Sequence, residues 1–143
     1  MIIHDELQKR VGYRWRNVDL LVRALTHSTY GHEHGVEFNE RDEFLGDSVL
    51  DLLTAEHLMH KYPNEREGFM SQRRAEMVMK PTLAARARTL GLPEMIRVGC
   101  KSEQLRQVDS VLCDAFEALI GSLYQDGGLN VAREALQWIG VLR

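Results

Sequence analysis

The stretch Asn39–Leu58 constrains this chain more than any other. Its apolar residues Phe44, Leu45, Val49, Leu50, Leu52, Leu53, Ala55 and Leu58 point in nearly every direction around a helical axis. A helix that is apolar all round belongs in a core. The stretch also begins as a helix should: Asn39 is a favoured N-cap, and Glu40 and Asp42 occupy the first turn, where the helix dipole favours anions. Yet Glu40, Glu43 and Asp47 recur at i, i+3 and i+7. At about 100° per residue they fall within an arc of about 60°, and Asp51 extends the stripe. Carboxylates on a largely buried helix are costly unless their charge is compensated. Arg or Lys partners meet that need, and so do divalent cations; the spacing alone leaves both open.

A second segment narrows the choice. Val111–Tyr124 is another nearly all-apolar helix, and its only acids, Asp114 and Glu117, sit at i and i+3 on one face. Two buried helices that each carry a short acidic stripe suggest a shared metal site, a recurrent arrangement in all-α proteins. All-oxygen ligands favour Mg²⁺ or Mn²⁺ over zinc. Four ionised carboxylates carry about −4, which two divalent ions neutralise.

The residues Glu40-Arg41-Asp42-Glu43-Phe44-Leu45-Gly46-Asp47-Ser48-Val49-Leu50 closely resemble the signature of ribonuclease III nuclease domains, N-E-R-L-E-F-L-G-D-[SA]-[VIL]-L. Other segments match in the same order. Leu25-Thr26-His27-Ser28 resembles L-T-H-x-S. Glu67-Gly68, Met70-Ser71 and Arg74 resemble E-G-x-[ML]-[ST]-x-x-[RK]. Asp114-Ala115-Phe116-Glu117-Ala118-Leu119-Ile120-Gly121 resembles D-x-x-E-A-[LI]-[IL]-G. The likeness covers almost the whole chain. One departure is clear: Asp42 stands where the pattern has Leu, an added acid beside the site or an interface.

Composition agrees with such an enzyme. The 143 residues are 44% hydrophobic and 27% charged, which suits one domain, 1–143, with a single sizeable core. No apolar run reaches the ~18 residues that span a bilayer, and Met1–Glu6 has neither the basic nor the long apolar region of a signal peptide. Cys100 and Cys113 have no metal-ligand spacing and read as reduced thiols, so a cytoplasmic setting is expected. A net charge of −3 argues against a general nucleic-acid sponge.

In chain order, Asp5–Val11 reads as a short amphipathic helix. Asn17 caps a second, Val18 to about His27, and His27 itself reads as a hydrogen-bonded packing residue. Tyr30–Phe38 reads as a solvated loop in spite of His32-Glu33-His34. His57 and His60 near the end of the long helix read as cations favoured by its C-terminus. Pro63 ends that helix, and Asn64–Gly68 is a polar turn. Ser71 caps a helix to about Met79. Pro81–Leu90 follows, with Gly91 as C′ residue. Arg73, Arg74, Lys80, Arg86, Arg88 and Arg97 make this the most basic region; a solvated, salt-bridged face and phosphate contact both account for it. Val98–Val108 is irregular, where the family often has a Gly-rich stretch. Helices from Asp109 to about Asp126 and from about Leu129 to Ile139 complete the chain. No strand pattern rises above the helical one, so the expected fold is all-α, with one long central buried helix.

The resemblance implies metal-assisted endonucleolytic hydrolysis of double-stranded RNA, giving 5′-phosphate and 3′-hydroxyl ends with short 3′ overhangs. It assigns Glu43, Asp47, Asp114 and Glu117 to catalysis and to the Mg²⁺ site, with Mn²⁺ as a substitute. Glu40 and Glu67 take supporting roles, Arg74 and Arg73 bind RNA, and Phe44 lies in the interface of a homodimer. Recognition rests on A-form shape, phosphates and 2′-hydroxyls. The family usually carries a double-stranded-RNA-binding domain after its nuclease domain. This sequence is expected to be the nuclease part alone, as a piece of a longer chain or as a stand-alone domain. Two other readings remain: a non-catalytic relative that binds RNA or scaffolds a complex, and an all-α Mg²⁺-dependent nucleotide pyrophosphohydrolase.

Overall fold

Helix α8 (Asp109–Gly127) is the axis on which the other helices pack. It buries Leu112, Ala115, Phe116, Ala118, Leu119, Ile120 and Leu123 completely or nearly so, which requires neighbours on every side. The chain supplies them in the order α1 (Asp5–Val11), α2 (Val18–Ala24), α3 (Ser28–His34), α4 (Glu40–Lys61), α5 (Glu67–Val78), α6 (Lys80–Leu90), α7 (Leu92–Met95), a 3₁₀ turn (Glu103–Gln107), α8 and α9 (Leu129–Trp138). This computed structural model describes residues 2–143; Met1, the first residue of the expected domain, lies outside them. Among the described residues there is no strand, only one isolated bridge between Thr26 and Arg97, so the all-α expectation holds.

The crossing of α4 over α8 is the most extensive packing in the fold, and glycine makes it possible. A Cβ on Gly46 would collide with the Glu117 carbonyl, and one on Gly121 with the Asp42 carbonyl. Two facing glycines thus bring the backbones of α4 and α8 into direct contact. Trp15 Nε1 donates to Ser122 Oγ at 2.8 Å. Asp126 accepts from Tyr13 Oη at 2.6 Å and from the backbone N–H groups of Arg16 and Asn17 at 2.8 and 2.9 Å. These bonds tie the segment before α2 to the end of α8.

Several expectations change. The long helix α4 is buried on one side only: Phe44, Leu52 and Met59 are 80%, 54% and 65% exposed. The central buried helix is α8. Asn39 precedes α4, but its side chain makes no cap; its Nδ2 donates to the Ala24 carbonyl at 3.2 Å and ties α4 to the end of α2. Helix α2 stops at Ala24, because Thr26 and Arg97 pair as the bridge and His27 becomes the N-cap of α3, accepting from Thr29 N. The expected loop Tyr30–Phe38 is largely this helix, closed by Gly35 at φ +64. Ser71 does not cap α5, which begins at Glu67; Ser71 lies inside it and donates to Glu67 at 2.9 Å.

The added acid, Asp42, is not at an exposed edge. It is 1% exposed. Arg23 grips both its oxygens, Nε at 2.9 Å and Nη2 at 2.7 Å, and Gln125 donates to Oδ1 at 2.8 Å. A bidentate guanidinium is the geometry that makes a buried carboxylate tolerable.

Candidate active site

The carboxylates of Glu43 and Asp47 leave α4 one turn apart, and those of Asp114 and Glu117 leave α8 one turn apart. The glycine crossing sets these two turns against each other, since Gly46 rests on the Glu117 backbone. The four acids pair across it. Glu43 lies close enough to Asp114, and Glu117 to Asp47, for each pair to perturb its members' ionisation. Crowded, partly buried carboxylates disfavour full ionisation, so Glu43, Asp114 and Glu117 are all pushed above their ordinary range.

The electrostatics follow from this crowding. Burial and the neighbouring Asp114 push Glu43 up to about 7, with Glu40 and Asp47 adding to the effect. Burial and the neighbouring Asp47 push Glu117 up to about 8. Burial also raises Asp114, against the opposing effects of Glu43 beside it and of Lys80 and His27 nearby. Cys113 lies within the cluster: its Sγ is 3.4 Å from Glu117 Oε1, and burial beside three acids pushes the thiol up to about 12. Ligand atoms of Cys113, Asp114 and Glu117 all lie within 4.8 Å of one another. A cluster of facing carboxylates that disfavour one another's ionisation fits a hard divalent cation, which would neutralise their charge.

The remaining expected residues divide. Glu40 is exposed and acts on the site only through its charge on Glu43. Glu67 is not among the four acids; it lines a separate groove of about 200 Å³ between α4 and α5, with Arg74, Met59 and Met70. Arg74 is half-buried there, and its charge reaches Asp51 on the acidic stripe. Arg73 stacks over the Tyr62 and Phe69 rings at 5.6 and 5.4 Å and pairs with Glu76 at 3.8 Å. Other basic residues of this region serve the fold. Arg86 donates to the Ile139 and Gly140 carbonyls at the end of α9, Arg88 to Asp109, and Arg97 to Thr26. His57 Nε2 and Lys61 Nζ donate to the Arg143 carbonyl at 2.8 and 2.6 Å.

Sequence reasoning missed Cys113 as a neighbour of the site and placed Lys80 only in a general basic region. Cys113 is one apolar-looking position in an apolar helix, and Lys80 belongs to a different helix from the acid it faces. Phe44 is exposed and lines a groove of about 820 Å³ together with Arg23, Phe38, Arg41, Asp42, Leu45 and Gln125.

Comparison with known proteins agrees with this geometry. A family model described as Ribonuclease-III-like matches residues 17–139. The Ribonuclease 3 of Desulforamulus reducens is 45% identical over 134 residues, covering 90% of this chain and 54% of its own length. That of Symbiobacterium thermophilum is 48% identical over 136 residues, covering 92% and 57%. The chain thus spans about half the length of the curated relatives it matches. The nuclease domain of ribonuclease III from Campylobacter jejuni superposes with a TM-score of 0.88 at 35% identity, covering 94% of each chain; that structure is described in terms of flexibility in a region involved in dimer formation. A Dicer from Pichia stipitis superposes with a TM-score of 0.65 at 28% identity, over 88% of this chain and 54% of its own.

Proposed function

The chain belongs to the ribonuclease III family, as a nuclease domain, and from that premise we propose that it cleaves double-stranded RNA as a divalent-metal-dependent endonuclease. The observation that carries the reading is the meeting of Glu43, Asp47, Asp114 and Glu117 across the α4–α8 crossing. All four are present on the two facing turns, and Asp114 and Glu117 already bring ligand atoms within 4.8 Å of each other. A scaffold protein has no use for such a cluster, whose repulsion destabilises the fold that holds it.

These four carboxylates would hold Mg²⁺, with Mn²⁺ as a substitute. When bound, the metal supplies Lewis acidity: an activated water, neutralised phosphate charge and a stabilised leaving 3′ oxygen. The chain's own contribution is position and charge. Rigid helices joined at two glycines fix the acids relative to one another. Burial raises the cost of leaving Glu43, Asp114 and Glu117 charged without a cation. Glu40 adds negative charge at the entrance. The products would carry 5′-phosphate and 3′-hydroxyl ends with short 3′ overhangs. Recognition by shape, phosphates and 2′-hydroxyls implies loose sequence preference.

The active form is proposed to be a symmetric homodimer. Phe44, Leu52 and Met59 are exposed large apolar residues on one side of α4. Phe44 projects beside a groove on the same surface. A protrusion next to a hollow is what a two-fold interface needs, because the same patch must serve both partners. Two equivalent sites would then cut one strand each. The proposed setting is the cytoplasm, and the two free thiols, Cys100 and Cys113, suit a reducing compartment. The test is Mg²⁺-dependent cleavage of long duplex RNA with mapping of both ends. Paired cuts leaving 5′-phosphates are expected. Hydrolysis of nucleoside triphosphates with the duplex left intact would overturn the reading.

A further inference from the structure

The four site carboxylates must accept a polyanion, so cations beside them matter. Most of the basic side chains near α5 and α6 are already engaged in the fold, as described above for Arg73, Arg86, Arg88 and Arg97. Lys80 is different. It is exposed and enters no ion pair among the described residues. It opens α6, just after the extended backbone of Met79 (φ −64, ψ 153) that separates this helix from α5.

Its place on the helix sets its direction. Leu83, Ala84 and Ala87 lie three, four and seven residues further on, on the same face. All three are buried, where α6 packs along α8. Lys80 continues that α8-facing row beyond the buried contact. Helical side chains lean toward the N-terminus, so its ammonium projects past the start of α6, beside the part of α8 that carries Asp114. The charge of Lys80 on Asp114 agrees with this placement.

We propose that Lys80 is a substrate-binding residue that contacts a backbone phosphate of the duplex next to the Glu43–Asp114 side of the site. The proposal rests on the duplex-RNA reading above. Arg74 lies toward the other end of the acidic stripe, near Asp51, so the two cations would bracket the carboxylates. A lysine is a compact point charge that suits a single phosphate without fixing base identity. The competing role is that of a counter-charge to Asp114, acting on the metal site rather than on RNA.

Lys80→Met, Lys80→Gln and Lys80→Arg separate these roles, each made in the active protein and in the Glu117→Gln background. In the active protein, Lys80→Met should raise KM for long duplex RNA roughly tenfold with kcat nearly unchanged, and Lys80→Arg should recover most of the loss. In the silenced background, duplex Kd across a KCl series should weaken alike, and the slope of log K on log[KCl] should fall by about 0.9, one phosphate's share. The Mg²⁺ concentration for half-maximal activity and the thermal midpoint should stay where they were. Unchanged KM and salt slope would overturn the proposal, as would an effect confined to the Mg²⁺ requirement or no rescue by Arg. Lys80→Gln repeats the test if Met at this exposed site causes association. A parent protein that leaves duplex RNA intact refutes the nuclease reading instead, while the binding series still reports on Lys80.

Discussion

At Glu117 the demands of the site bear directly on the stability of the fold. Glu117 sits against Asp47 and the Cys113 thiol, and burial with these neighbours raises it to about 8, as burial and Asp114 raise Glu43 to about 7. In the unfolded chain both ionise near ~4.3. Between those values the fold keeps protons that the unfolded chain has released, so the metal-free protein loses stability as pH rises from about 4 to 8. We expect its thermal midpoint to fall over that range, and Glu117→Gln, which cannot ionise, to flatten the fall by roughly 4 °C at this chain length. A scan of both proteins in chelator tests this; parallel curves would count against a strained Glu117. The same substitution should lower Mg²⁺-dependent cleavage by several orders of magnitude while leaving duplex binding intact or improved. Near-normal turnover would remove Glu117 from the mechanism. Asp42 shows the opposite solution, a buried carboxylate with a dedicated partner. Arg23→Leu would leave it buried and unpaired, at a cost of about 3 kcal/mol. The double variant Arg23→Leu/Asp42→Leu should recover most of that loss. Denaturant titration of the three proteins decides, and additive costs would contradict a coupled pair.

At the level of elements, the glycine pair is what turns two amphipathic patterns into a site. Gly46 and Gly121 let α4 and α8 meet backbone to backbone, which sets Glu43 and Asp47 opposite Asp114 and Glu117. Gly46→Ala drives a methyl group into the Glu117 carbonyl. The helices must separate, so we expect a loss of at least about 3 kcal/mol, or no folding, together with loss of cleavage. Gly68→Ala is the control. It lies in the first turn of α5 with open space around its Cβ position, so it should be neutral or stabilising by up to about 1 kcal/mol. Equal effects of the two substitutions, measured by urea unfolding, would show that the crossing is not tight.

For the molecule as a whole, the open question is how the exposed side of α4 is used. Phe44 at 80% exposure is hard to explain in a protein that functions alone, since large isolated aromatics gain by burial. Phe44→Glu should leave the fold untouched, because the side chain has few contacts to lose. It should also give a monomer that no longer makes paired cuts. Sedimentation at micromolar concentration with end mapping checks both outcomes. A monomeric parent that still makes paired cuts would rule out the dimer.

The sequence by itself determined the helical class, the long helix from Asn39 and two acidic stripes, because acids at i and i+3 share a face wherever a helix forms. The choice of Glu43, Asp47, Asp114 and Glu117 along those stripes came from the resemblance to the ribonuclease III signature. The helix at Ser28–His34 was not legible, because its residues carry no apolar repeat. His27 caps it at one end, Gly35 closes it at the other, and Glu33 anchors it to the Cys100 backbone from 67 residues away. Tertiary structure alone decided the rest. Asp42 read as an added acid beside the site or an interface until α2 brought Arg23 against it. Phe44 could be core or interface by its place in the helix, and only the fold showed that no neighbouring helix of this chain covers it. Lys80 looked like any basic residue until α6 packed along α8 and turned it toward Asp114. Burial and pairing belong to contacts between segments distant in sequence, and a linear pattern records only which face a residue is on, not what meets that face.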